Sequence, residues 1–106
     1  MRIIWQSNAK KGRTQVASYV YRRFGLGRMK EFKLEVDQTV KMIVLHPNIG
    51  PIDPLFADRS VTYRSVVING LSKLVYRVDG ETIHIVALWD TRREPQKQAQ
   101  QVKDNL

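Results

Sequence analysis

Apolar residues change their spacing along the chain, and each change marks an element. The run Arg2 to Gln6 (RIIWQ) is β-branched and aromatic, which predicts a short strand. Over residues 9–24, Val16, Tyr19, Val20 and Phe24 recur every three or four positions with lysines and arginines between them, so an amphipathic helix is expected, capped by Ser7 or Asn8. Gly25 and Gly27 end it as a left-handed cap would. A second helix is predicted over residues 28–46, where Met29, Phe32, Val36, Val40 and Ile43 form a nearly heptad stripe that Pro47 stops. Two amphipathic helices joined by a glycine turn make an antiparallel hairpin. Residues 47–58 (PNIGPIDPLFAD) hold three prolines and a glycine and are expected to cross as a loop from helices to sheet.

Beyond the loop the period falls to two. Residues 60–68, 71–78 and 81–90 are predicted strands, separated by Asn69-Gly70 and Asp79-Gly80, both suited to two-residue hairpin turns. Those turns set Ile68 opposite Leu71, Val66 opposite Lys73 and Arg64 opposite Val75, then Val78 opposite Glu81 and Tyr76 opposite Ile83. Alternation in that register gathers Val61, Tyr63, Val67, Leu74, Tyr76, Val78, Ile83, Ile85, Ala87 and Trp89 on an apolar face. It leaves Arg64, Lys73, Arg77 and His84 among Val66, Val75, Val86 and Leu88 on the other. The fold class expected is therefore α+β: an N-terminal strand, a two-helix hairpin and a three-stranded antiparallel meander, with the helices on one face of the sheet. The polar, glutamine-rich residues 96–106 are expected to form a short helix or a flexible tail.

Composition narrows the function classes. At 106 residues and 42% hydrophobic, the chain suits one domain, residues 1–106, with one core. It has no cysteine, so neither a disulfide framework nor a thiolate metal cage is available, and no metal or other cofactor is expected. The start, Met1 to Trp5, has neither a signal-peptide apolar region nor a membrane span, which reads as cytoplasmic. The net charge of +8 is unevenly placed. Residues 1–33 carry nine basic side chains against Glu31 alone, whereas residues 34–106 balance to zero. The resulting directional positive field suits nucleic acid or an acidic protein partner.

No acid pair, nucleophile elbow or metal motif stands at diagnostic spacing, so the common hydrolase chemistries lack support. The chemistry left is cationic. Arg64, Lys73, Arg77, Arg92 and Arg93 are candidates to hold a phosphate and offset charge on a phosphorane, with His84 the natural candidate for proton transfer. Lone strand histidines are more often structural, and cations on a sheet face commonly snorkel over valines. Lys10, Lys11, Arg13, Arg22, Arg23 and Arg93 are candidates for nucleic-acid or target binding.

Four phrases carry a family resemblance: His46-Pro47-Asn48-Ile49-Gly50, Tyr63-Arg64-Ser65-Val66-Val67, Lys73-Leu74-Val75-Tyr76-Arg77-Val78, and Trp89-Asp90-Thr91-Arg92-Arg93-Glu94-Pro95. In the predicted order of elements, they make the chain resemble the RelE/ParE superfamily of bacterial type II toxins. The resemblance implies a growth-inhibiting protein of a plasmid-stabilisation module, held inactive by an acidic antitoxin encoded beside it. RelE-like members cleave messenger RNA in the ribosomal A site without metal, using basic residues of the sheet and often a tyrosine or histidine in the C-terminal segment. Lys73 and Arg92 fall at positions where such members place functional arginines, but no tyrosine or histidine follows Trp89. ParE-like members poison DNA gyrase, and Arg64 matches an arginine common near the start of their meander. The resemblance thus leaves two targets open, the ribosome with messenger RNA and gyrase. Outside the family, a non-catalytic basic nucleic-acid-binding module remains the alternative.

Overall fold

The computed structural model describes residues 1–102. Strand β1 (Arg2–Trp5) is followed by helices α1 (Ser7–Phe24) and α2 (Leu26–Leu45), then by a 3-10 turn at Pro54–Phe56. Strands β2 (Arg64–Ile68), β3 (Ser72–Asp79) and β4 (Thr82–Asp90) lead into a short helix α3 (Pro95–Gln100). One sheet is ordered β1-β4-β3-β2; β2, β3 and β4 form the expected antiparallel meander, and β1 lies parallel to β4.

The helical hairpin forms closer to the sheet than the pattern indicates. Gln6 takes the N-cap position without a side-chain cap bond, and Asn8 instead donates through Nδ2 to the Val86 carbonyl at 3.2 Å. Only Gly25, with φ 92°, separates the helices, and Gly27 lies inside α2. Gly12 lets α1 rest on the backbone of β4, since a Cβ there would stand 1.8 Å from the Leu88 carbonyl oxygen.

The register differs from the expected one at both turns. Asn69 (φ 52°) and Gly70 (φ 68°) do form the anticipated tight turn, closed by the Leu71 N–H on the Ile68 carbonyl at 3.1 Å. The Leu71 carbonyl, however, accepts from the Thr91 amide at 2.9 Å, and Ile68 comes to oppose Ser72. The second turn is Gly80-Glu81 rather than Asp79-Gly80, with Asp79 opposite Thr82 and Tyr76 opposite Ile85. A slip between Val75 and Tyr76 leaves Val86 as an extra residue of β4, a β-bulge that exchanges the faces of everything after it.

These shifts correct the division of the sheet into an apolar and a cationic face, because a one-residue slip turns each side chain over. Both faces are buried. Toward the helices, Leu74, Tyr76, Ile83, Ile85 and Leu88 pack with Val16, Val20, Phe32, Val36 and Ile43, joined at the edge by Val66. Beneath the other face, Tyr63, Val75, Val86, Ala87 and Trp89 pack with Phe56, Ala99 and Val102, with Val61 alongside. Val61, Tyr63, Ala87 and Trp89 therefore lie opposite to their expected side, as do Val66 and Leu88. Val67 and Val78, expected in the core, are 55% and 39% exposed. Arg59 ties the C-terminal segment down, donating at 2.8 Å to the Ala99 and Val102 carbonyls.

Candidate functional site

The strand cations occupy four separate environments. Arg64 shares the helix-facing side of β2 with Val66 and Ile68, away from Lys73 and Arg77, and its Nη1 donates to the Gly50 carbonyl at 2.8 Å. It braces the loop after α2. Lys73, on the far face of β3, stands with Nζ 2.5 Å from Oδ2 of Asp53 and 5.5 Å from the centroid of Trp89. Asp53 is only 3% exposed, and its other carboxylate oxygen caps the 3-10 turn by accepting from the Leu55 amide at 3.0 Å. The lysine thus neutralises a buried carboxylate.

Arg77 and His84 are direct partners across β3 and β4. Arg77 is 4% exposed, with Nη1 3.8 Å from Oδ2 of Asp79. His84 Nε2 is 4.0 Å from that oxygen, and its Nδ1 meets the Gln6 amide nitrogen at 3.1 Å. An amide nitrogen donates, so Nδ1 accepts and the ring proton resides on Nε2. Burial lowers the His84 pKa and neighbouring Arg77 lowers it further, with Asp79 opposing them, which favours the neutral ring.

Arg92 closes the exit of β4. Its Nε and Nη2 reach the two carboxylate oxygens of Asp90 at 3.0 and 2.7 Å, and its guanidinium lies 5.0 Å from the centroid of Tyr19 on α1. The hydrogen bonds from Arg92 hold the Asp90 pKa below its usual value, and the same contact raises that of Arg92. Strand end and helix are joined by this clasp.

The cations assigned to binding are arranged differently. Lys10, Lys11, Arg22 and Arg23 are exposed along α1, Arg93 is exposed after β4, and Arg13 stacks 4.2 Å from the centroid of Trp5. Clefts open on both sides of α1: one of about 680 Å³ against α2, reaching Arg13, Arg22 and Lys33, and one of about 630 Å³ against the end of β4, reaching Arg22, Arg92 and Arg93. Asp53, Asp79, Gln6 and Tyr19 decide what the cations do, though the sequence pattern marks Asp79 only as a turn residue and Tyr19 only as part of an apolar stripe. Asp53-Pro54 carries the signature of a capped turn, whereas nothing local marks the other three as partners of the cations.

An N-terminal strand, a helical hairpin on one face and an antiparallel meander meet a known family at this point. The family model for the ParE toxin of type II toxin-antitoxin system, parDE, matches residues 3–95. The chain belongs to the ParE toxin family. A solved structure of the chromosomal ParDE TA system from P. aeruginosa has the same fold at 16% identity, with a TM-score of 0.68 over 85% of this chain and 95% of that one. No curated protein matches the chain significantly. As a ParE-family protein it is the toxin of a type II toxin–antitoxin system, and its partner is a cognate antitoxin. The match takes in the ParE toxin's sheet, both long helices and the Arg92 clasp, and ends as α3 begins. Among the described residues no helix is long and apolar enough to cross a membrane, and no group of three or more His, Asp or Glu is placed to hold a metal.

Proposed function

We propose that this ParE-family toxin arrests growth by binding DNA gyrase through its basic helical hairpin, not by cutting messenger RNA. The observation that carries this is the dispersal of the candidate catalytic residues. Metal-free cleavage needs several cations around one scissile phosphate, placed to offset the charge that develops there. Arg64 is instead engaged by loop carbonyls, Lys73 by Asp53 and Arg92 by Asp90. Arg77 and His84 adjoin, but both face the Asp79 carboxylate, and Arg77 is buried. The exposed cations of α1 and Arg93 remain available for a macromolecular surface. An acidic antitoxin would be drawn to the same field and shield it.

The test is paired. Purified toxin is added to a gyrase supercoiling reaction, and separately to a reconstituted translation reaction in which new 5′ ends of a defined message are mapped. Inhibited supercoiling with an intact message is expected, weakened at least tenfold by Arg22→Glu combined with Arg23→Glu. Ribosome-dependent cuts with normal supercoiling would sink the reading and return attention to Arg77 and His84.

A further inference from the structure

The cleft between α1 and the end of β4 continues into a second one. The second, of about 500 Å³, shares Gly12, Gln15 and Trp89 with the first and runs on between Lys11 of α1 and Gln98 and Gln101 of the C-terminal segment. Together they form a trough beside α1 from Asn8 to Arg22, about 21 Å along the helix axis. Its lining is rich in donors: Thr14 and Ser18 hydroxyls, glutamine amides, and the cations Lys11, Arg22 and Arg93. None of these three cations pairs with a carboxylate among the described residues. Among the described residues Asp90 is the one carboxylate on the lining, and Arg92 occupies both of its oxygens.

We infer that this trough holds the phosphate backbone of duplex DNA. A row of donors and free cations without competing carboxylates is what a polyphosphate backbone requires. The aromatic residues of the trough argue against single strands, whose affinity comes largely from bases stacking on open rings. Trp89 is 4% exposed, and Arg92 covers the ring of Tyr19. The inference deepens the gyrase reading by adding a contact to the DNA on which such a target works.

Binding of the full chain to a fluorescein-labelled 20-base-pair duplex, followed by anisotropy across a potassium chloride series without gyrase, tests it. Three phosphates engaged by Lys11, Arg22 and Arg93 predict a slope of log K against log salt of about −2.7, and Lys11→Gln or Arg93→Gln should each remove about 0.9 of it. Lys33→Gln, the same charge change at the α2 cleft, should leave the slope unchanged. Equal losses in all three variants, or no binding at low salt, would overturn the inference. So would tighter binding of a single-stranded RNA of equal length, or displacement of the duplex by polyglutamate at equal charge. Duplex binding with supercoiling unaffected would support the trough while removing the gyrase target.

Discussion

Arg64 and Tyr76 stand directly opposite each other across β2 and β3, and both hold the loop that follows α2. The tyrosine hydroxyl donates to the Pro47 carbonyl at 2.7 Å and accepts from the Gly50 amide at 3.0 Å, while Arg64 donates to the Gly50 carbonyl at 2.8 Å. Burial raises the pKa of the tyrosine and keeps it protonated. Tyr76→Phe strands a buried amide and a carbonyl, and should cost about 1–3 kcal/mol without changing the fold. Urea midpoints at constant slope would show this; a midpoint matching the parent would mean the loop is held by Arg64 alone.

Lys73→Ala should act on stability before it acts on any target. Asp53 would be left as a buried charge without its cation, a change that costs about 3–5 kcal/mol where a buried pair is broken from one side. Adding Asp53→Asn to the lysine variant should recover a substantial part of the loss. The pair of thermal melts separates this account from one in which Lys73 touches substrate: no recovery would remove the ion pair from the explanation.

Two glycines of the hairpin should respond in opposite directions to alanine. At Gly12 a methyl group would collide with the backbone of β4, so Gly12→Ala is expected to cost about 3 kcal/mol or more by forcing α1 off the sheet. At Gly27, inside α2, nothing lies within 4 Å of the added carbon, and Gly27→Ala should stabilise by about 0.5–1 kcal/mol. Chemical denaturation of both variants decides it. Similar small effects at the two positions would contradict the close contact of α1 with Leu88.

His84 gives stability a pH dependence near neutrality. Its folded pKa lies below the ordinary 6.5, so as pH falls the unfolded chain takes up the proton first. Stability is then undiminished above about 6.5 and declines from there down through the folded value. Asp90, lowered by Arg92, contributes in a more acidic window: its share is present above the ordinary 3.8 and is lost as pH falls through the folded value. Melting temperatures at pH 7.5, 6.5 and 5.5 should fall less steeply in His84→Gln than in the parent chain. Parallel curves would exclude His84 as the source.

The elements were legible in the sequence because their signals are local: three-and-four spacing for α1 and α2, alternation for the strands, Asn69-Gly70 for a turn, and a charge excess confined to residues 1–33. The family was legible too, since its phrases are contiguous in sequence: His46 to Gly50 in the loop after α2, Tyr63 to Val67 and Lys73 to Val78 along β2 and β3, and Trp89 to Pro95 at the exit of β4. What the sequence left open was which way the strand residues face. The Leu71 carbonyl is claimed by Thr91, twenty residues away, and Val86 bulges where β4 changes register against β3; neither event has a local signature. Because side chains alternate with period two, single-residue shifts of this kind moved Arg64 and Leu88 to the helix side and Trp89 to the other. Burial by Phe56, Ala99 and Val102 then turned an expected open face into a second core. The same holds for the cations. A lysine or arginine carries the same charge wherever it stands in a sequence, and only the tertiary structure supplies the carboxylate, carbonyl or open trough that decides whether it holds the fold or a partner.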